Sequence, residues 1–165
     1  MTVEAAREKP SPKVPHWLIR TIWFLHRRAY AITGGRFGLR APAVGRWGML
    51  RLHTLGRQSG RERVAILGYI EDGSNILVAA MNGWMDTEPA WWLNLQAHPE
   101  ATIQLPDGEV RAVTASAAPA GERERLWQRF VELGTSAFTH AHAATRARET
   151  SIVILAPTAS QAGSS

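Results

Sequence analysis

Two Asp-Gly pairs, Asp72-Gly73 and Asp107-Gly108, each stand between short runs rich in Val, Ile and Leu, and they limit the possible folds more than any other feature of the chain. An Asp-Gly dipeptide in that setting is the chemistry of a tight β-hairpin turn, so the flanking runs are antiparallel neighbours. "MLRLHT" (49–54), "RVAILGYI" (63–70) and "NILVAAM" (75–81) form one set of strands. "ATIQLPDGEVRAVTASA" (101–117) folds back on itself, and "TSIVILAP" (150–157) reads as a last strand. "RVAILGYI" is apolar on both faces, as a strand is when it lines a closed barrel and is covered outside by a helix. The pattern predicts a mainly β chain with helices (α+β), built as a small antiparallel barrel capped by short helices.

Between the strands, "DTEPAWWLNLQAHPE" (86–100) opens like a short helix. Asp86 or Thr87 can cap it, Pro89 fits its first turn, and His98-Pro99 closes it. Trp91 and Trp92 are adjacent, so at least one faces inward. "PAGERERLWQRFVELG" (119–134) is amphipathic, with Leu126, Trp127, Phe130 and Val131 inward, acids in the first turn and Gly134 at the end. "TSAFTHAHAATRARE" (135–149) is weakly helical. Pro10, Pro12 and Pro15 make residues 1–15 a flexible arm. Residues 16–43 hold an amphipathic helix and a glycine-rich connector, residues 44–157 the barrel domain, and residues 158–165 a disordered tail.

Charge is segregated. Residues 1–63 carry thirteen Lys/Arg against three Asp/Glu, and the rest of the chain six against eleven. Such an imbalance points to an anionic partner for the first third, or to a plain solvated basic face. In the predicted helix, Arg20, Arg27 and Arg28 lie opposite an apolar stripe of Leu18, Ile22, Leu25, Ala29 and Ile32, with Trp17 and Phe24 among the arginines. A basic face carrying aromatics suits anionic lipid, and packing on the barrel is the other reading. The basic residues match no nucleic-acid module, so no nucleic-acid partner is expected. Cysteine is absent, which excludes disulfides and thiolate metal sites. No apolar run approaches the ~18 residues of a membrane span, and the N-terminus lacks a signal-peptide core. A cytoplasmic protein, peripheral at most to the inner face of the membrane, is expected.

"TLGRQSGRER" (54–63) asks for more than a turn. A hairpin does not need Arg57, Arg61 and Arg63 crowded at one end, where they repel each other. A glycine-bracketed turn is expected to offer consecutive backbone N–H groups to an anion. Ser59 adds a hydroxyl, and Arg57 and Arg63 add forked guanidinium contacts of the kind phosphate oxygens favour. A solvated turn is the alternative.

Taken in order, "TLGRQSGRER", "YIEDGSNILVAAMNG", "EPAWWLNLQAHPEATIQL", "ERERLW" and "SIVILAP" resemble the deazaflavin-dependent nitroreductase family, actinobacterial split β-barrel proteins that use coenzyme F420. The resemblance spans roughly residues 44–157 and is most specific at Gly56-Arg57-x-Ser59-Gly60-x-x-Arg63 and Pro89-Ala90-Trp91-x-x-Asn94-Leu95-x-x-x-Pro99. It implies an FMN-binding split-barrel-like fold in which Arg57, Gln58, Ser59, Gly60 and Arg63 hold the cofactor's phosphate and acidic tail. It further implies that Ala80, Met81, Asn82 and Gly83 border the deazaflavin ring, that Pro89, Ala90 and Trp91 close that side, and that Phe138 through His142 lie toward the substrate. The implied chemistry is hydride transfer from reduced deazaflavin to an apolar quinone, nitro compound or activated alkene.

The chain departs from the family pattern at several places. Gln58 stands where Lys is common, Met81 where Ser is usual, and Trp84, in the substrate pocket, where a small residue is usual. Residues 134–149 contain no tyrosine, which leaves Phe138 as the aromatic hydrocarbon ring and His140 and His142 as the groups able to pass a proton. That His-x-His pair has no clear third ligand, so no metal is expected. The departures keep two alternatives open: a non-catalytic barrel that binds a lipid or hydrophobic metabolite, and an FMN-dependent reductase. Monomer and homodimer are both compatible with the sequence.

Overall fold

The computed structural model describes residues 38–82, 87–134 and 149–158. The predicted arm, the helix at 16–33 and nearly all of the segment 135–149 lie outside the described residues, as do Gly83, Trp84, Phe138, His140 and His142. The chain runs β1 (Gly48–Leu55), β2 (Glu62–Asp72), β3 (Asn75–Ala79), α1 (Ala90–Ala97), β4 (Glu100–Gln104), β5 (Val110–Ala117), α2 (Ala120–Glu132) and β6 (Ile152–Pro157).

The strands close into an antiparallel barrel in the order β1-β2-β3-β6-β5-β4, with β4 pairing back onto β1. Both Asp-Gly pairs turn hairpins as their chemistry requires. Gly73 (φ 63°) sits between the register partners Asp72 and Asn75, and Gly108 (φ 93°) between β4 and β5. The Asp107 carboxylate accepts the Glu109 N–H at 2.9 Å, which tightens the second turn.

Side chains alternate across the barrel wall with the two-residue period of a strand. Leu50 and Leu52 of β1, Ile76 and Val78 of β3, Ile103, Val113, Val153 and Leu155 point inward together. The interior is completed by α1, whose Trp91, Trp92 and Leu95 join this cluster. One face of the short helix therefore completes the barrel's inner core, while Ala90, Gln96 and Ala97 are exposed. Pro89 precedes it as the cap residue, and Pro119 does the same for α2, in both cases with no side-chain cap hydrogen bond. Asp86 lies outside the described residues, and neither a Thr87 cap nor a first-turn Pro89 is what the helix adopts. Instead the helix begins one residue later, with Trp92 and Leu93 donating to the Pro89 carbonyl, and the Thr87 hydroxyl accepts from Asn82.

A second cluster lies outside the barrel, where Leu126 and Phe130 of α2 pack on Ile70, Leu77, Ala79 and Ile152. Trp47 seals its edge by donating Nε1–H to the Phe130 carbonyl at 2.8 Å, with ring centroids 4.5 Å apart. Leu126 and Phe130 are each almost fully buried, a contribution of about 1.5–3 kcal/mol apiece. The outer helix covers only the far half of β2. Ile70 is under it, whereas Val64, near the other end, is 53% exposed.

Candidate anion-binding site

Residues 56–61 link β1 to β2 in a turn knotted by its own backbone. Gly56 N–H donates to the Arg61 carbonyl at 2.8 Å, and the amides of Ser59 and Gly60 donate to the Gly56 carbonyl at 3.2 and 2.8 Å. Gly60 sits at φ +61°, which a side chain would strain. The Arg57 N–H donates to Asn94 Oδ1 at 3.2 Å, and Arg61 N–H to Ser59 Oγ at 3.4 Å. The expectation of consecutive free amides is thereby corrected. Five of the six amides in residues 56–61 are spent internally, and Gln58 holds the remaining one.

What the turn can offer an anion is consequently its side chains. Ser59 Oγ accepts from Arg61 N–H and from Arg63 Nη2–H (3.3 Å), so its own O–H proton is the donor left for an external oxygen. Arg57, Arg61 and Arg63 are exposed. Among the described residues none of the three makes an ion pair. Glu62 is adjacent in sequence to two of them, but its carboxylate is taken by His53 Nδ1. Three guanidinium groups without ion pairs on one turn, with a hydroxyl donor beside Arg63, suit an oxyanion of at least one full negative charge.

Helix α1 ties this turn to the other predicted site residues. Asn94, 5% exposed, receives both the Arg57 N–H and Arg57 Nη1 (3.3 Å) and donates Nδ2–H to Thr54 Oγ1 at 3.3 Å. One turn earlier, Trp91 shares the inner cluster with Ala80. Ala80 is fully buried at the end of β3, its N–H bonded to the Ser151 carbonyl at 2.9 Å. Pro89 is buried and Ala90 exposed. Arg57 is thus bonded to the helix through Asn94, Arg63 is bonded to Ser59 within the turn, and Ala80 and Trp91 belong to one buried cluster.

Met81 and Asn82, also expected beside the ring, follow Ala80 directly. Met81 continues the outward alternation of Leu77 and Ala79 and packs against the outer cluster. Asn82 Nδ2 donates to Thr87 Oγ1 at 3.0 Å. Thr54 carried no expected role in the sequence, and Asn94 stood there only as part of the family motif, yet both are bonded to the turn. The signal for Asn94 was a carboxamide on a helix of apolar residues three positions after Trp91. Trp92 adds a further feature: its Nε1–H is buried and has no acceptor among the described residues. A buried donor of this kind costs about 1–3 kcal/mol until something accepts from it.

An open groove of about 270 Å³, lined by Arg51, His53, Glu62, Thr102, Gln104 and Val110, runs along the outer wall of the barrel. It lies on the face of β1 opposite Leu50, Leu52 and Thr54, away from the inner cluster. Among the described residues no group of three His, Cys, Asp or Glu side chains could hold a metal ion.

Comparison with known proteins gives a consistent result. The family model described as F420H(2)-dependent quinone reductase matches residues 23–157. An F420H(2)-dependent quinone reductase of Mycobacterium tuberculosis H37Rv is 32% identical over 149 residues, covering 86% of this chain and 97% of the relative. The equivalent protein of M. tuberculosis CDC 1551 matches to the same extent. Among solved structures, an F420-H2 dependent reductase (FDR-A) superposes with a TM-score of 0.58 at 24% identity, covering 68% of this chain and 97% of that one. A domain-swapped dimer superposes at 0.61 with 23% identity, covering 82% and 98%. These two superpositions establish the barrel as a shared fold.

Proposed function

This chain belongs to the F420H(2)-dependent quinone reductase family, and from that premise we propose that it binds coenzyme F420 and reduces a quinone, or a comparably electron-poor apolar acceptor, to the quinol level. The observation that carries this reading is the composition of one turn: Arg57, Arg61 and Arg63 lack ion pairs among the described residues, and Ser59, which accepts from Arg61 N–H and Arg63 Nη2–H, keeps its own O–H proton to donate. That donor set suits the phosphodiester and polyglutamate tail of F420.

Reduced F420 supplies a hydride when bound. Arg57 and Arg63 contribute forked N–H donors to phosphate oxygens, and Ser59 contributes its hydroxyl proton. Gln58, exposed in the turn, contributes its amide N–H and a neutral side chain where the family resemblance leads one to expect a lysine. Gly60 keeps the turn in register at φ +61°. Ala80 and Trp91, members of one buried cluster, would supply an apolar wall for a flat ring, with Pro89 and Ala90 assigned to its edge on sequence grounds. Gly83, Trp84 and Phe138 are assigned to the ring edge and acceptor pocket on sequence grounds alone. His140 and His142 are assigned on the same grounds to the proton that accompanies hydride to a quinone oxygen. Arg123 bonds the Thr150 carbonyl at 2.9 Å and pairs with Glu149 at 2.5 Å, fixing where the chain leaves that segment and enters β6.

No helix among the described residues is long and apolar enough to cross a membrane. The arginines and aromatics of residues 16–33 support contact with an anionic lipid surface, where apolar quinones reside. Titrating the purified protein with F420 and following deazaflavin fluorescence tests the reading, and anaerobic oxidation of F420H2 by menadione tests the reaction. Absence of any fluorescence or polarisation change at tens of micromolar protein would refute it. A yellow preparation with flavin absorbance would favour FMN instead.

A further inference from the structure

We infer that Asn94 is a positioning residue that presets Arg57 for the anionic part of the cofactor, a role that rests on the F420 reading above. Asn94 is 5% exposed on a helix whose Trp91, Trp92 and Leu95 fill the barrel. A carboxamide in such a place is costly unless both of its ends are paired. Both are. Oδ1 accepts the Arg57 backbone N–H at 3.2 Å and Arg57 Nη1–H at 3.3 Å, while Nδ2 donates to Thr54 Oγ1 at 3.3 Å. Thr54 in turn donates to the carbonyl of Arg63, its register partner, at 3.4 Å. The two arginines expected to hold the phosphate are therefore linked through one side chain of α1.

The geometry at Arg57 is the informative part. One oxygen holds the residue at its backbone and at one guanidinium nitrogen, closing the flexible side chain into a loop. A free arginine at an exposed turn samples many rotamers, and ordering it on binding costs affinity. Tying Nη1 to the same atom as the backbone amide removes much of that freedom beforehand. It leaves Nε and Nη2 for an outside oxygen. The Asn94 carbonyl also fills the position at the Arg57 N–H that an anion would otherwise take, so a bound phosphate is directed to the side-chain donors.

Equilibrium titration with oxidised F420, read by deazaflavin fluorescence, tests this through a double-mutant cycle of Asn94→Ala and Arg57→Ala. Asn94→Ala is expected to weaken binding about fivefold to tenfold in the wild-type background and by less than about twofold once Arg57 is Ala. With F420H2 saturating and menadione as acceptor, kcat stays within about twofold while KM for F420H2 rises in step with Kd. An equal loss in both backgrounds, or no loss in either, overturns the inference, because Asn94 would then act on the fold or not at all. Thr54→Val removes the hydroxyl at constant shape and serves should Asn94→Ala not fold. Its expected loss is about twofold to threefold, again confined to the background that retains Arg57, and a loss in both backgrounds overturns the inference. Failure of the wild-type chain to bind F420 at all overturns the parent reading and this one together, whereas binding with an additive cycle overturns only this one.

Discussion

Replacing Arg63 with Ala should weaken F420 binding and leave the barrel as stable as before, and the two signs together make the test. Arg63 is exposed, makes no ion pair among the described residues, and donates Nη2–H to Ser59 Oγ at 3.3 Å. That exposed hydrogen bond is worth about 0.5–1 kcal/mol at most. Against it stands repulsion from Arg57 and Arg61, about 0.5 kcal/mol for each unit charge some 8 Å away in water. The terms nearly cancel, so Tm should shift by less than about 3 °C. Binding responds differently. A charge-assisted hydrogen bond to a phosphate oxygen contributes about 1.5–3 kcal/mol, and exposure places Arg63 at the lower end, so affinity should fall about tenfold. The assay is fluorescence titration with F420 at about 50 mM and about 500 mM salt, where the screening length drops from roughly 14 to 4 Å. Wild type should lose affinity steeply over that range and the variant less so. A variant with wild-type affinity and salt dependence but a clearly lower Tm would refute the reasoning, because Arg63 would then serve the fold and not a ligand.

Phe130→Ala should cost about 3–5 kcal/mol of stability by emptying the outer cluster, read in urea unfolding, with little change in F420 affinity of the folded fraction. Tyr69 is buried in the barrel, and burial, aided by the charges of Glu71 and Asp107, pushes its hydroxyl pKa up to about 12. The folded state therefore holds this proton more tightly than the unfolded chain. Its stabilisation is present below about pH 10 and should be lost as pH rises to 12, a decline of about 2–3 kcal/mol. Tyr69→Phe should flatten that alkaline limb in a thermal-melt series, and an unchanged limb would contradict the assignment. Gln58→Lys should tighten F420 binding about twofold to fivefold at low salt, an effect of the size expected for one exposed cation, and the gain should vanish at high salt.

The strands were legible because hairpin chemistry is local. Asp-Gly fixes a turn within four residues, and the alternation of Leu50, Leu52 and Thr54 with Arg51 and His53 assigns the faces of β1. The two-sided apolarity of "RVAILGYI" announced a covered strand, yet only Ile70 lies under α2 while Val64 is exposed. Coverage depends on where a helix some 50 residues later comes to rest, and no local pattern encodes that. The caps were misread for a similar reason. Thr87 has the right chemistry to cap α1, but Asn82 claims its hydroxyl across the intervening residues. Trp91 and Trp92 were expected to point at least one ring inward, and the closed barrel takes both.

At the site, the residue types were readable and their employment was not. Arg57, Ser59 and Arg63 were identifiable as donors from a ten-residue stretch, but the fate of the turn's amides depends on Asn94, 37 positions downstream. Once that carboxamide takes the Arg57 N–H and the turn bonds itself through Gly56 and Gly60, the backbone has little left to offer an anion. Folding of the turn and gripping of the ligand then rest on different atoms. Gly56, Gly60 and Asn94 shape the loop, while on the proposed reading the guanidinium groups and the Ser59 proton make its contacts with the ligand. A relative that kept the first three residues and lost the arginines would still close the first hairpin with the same geometry, and would have lost only its affinity for the anion.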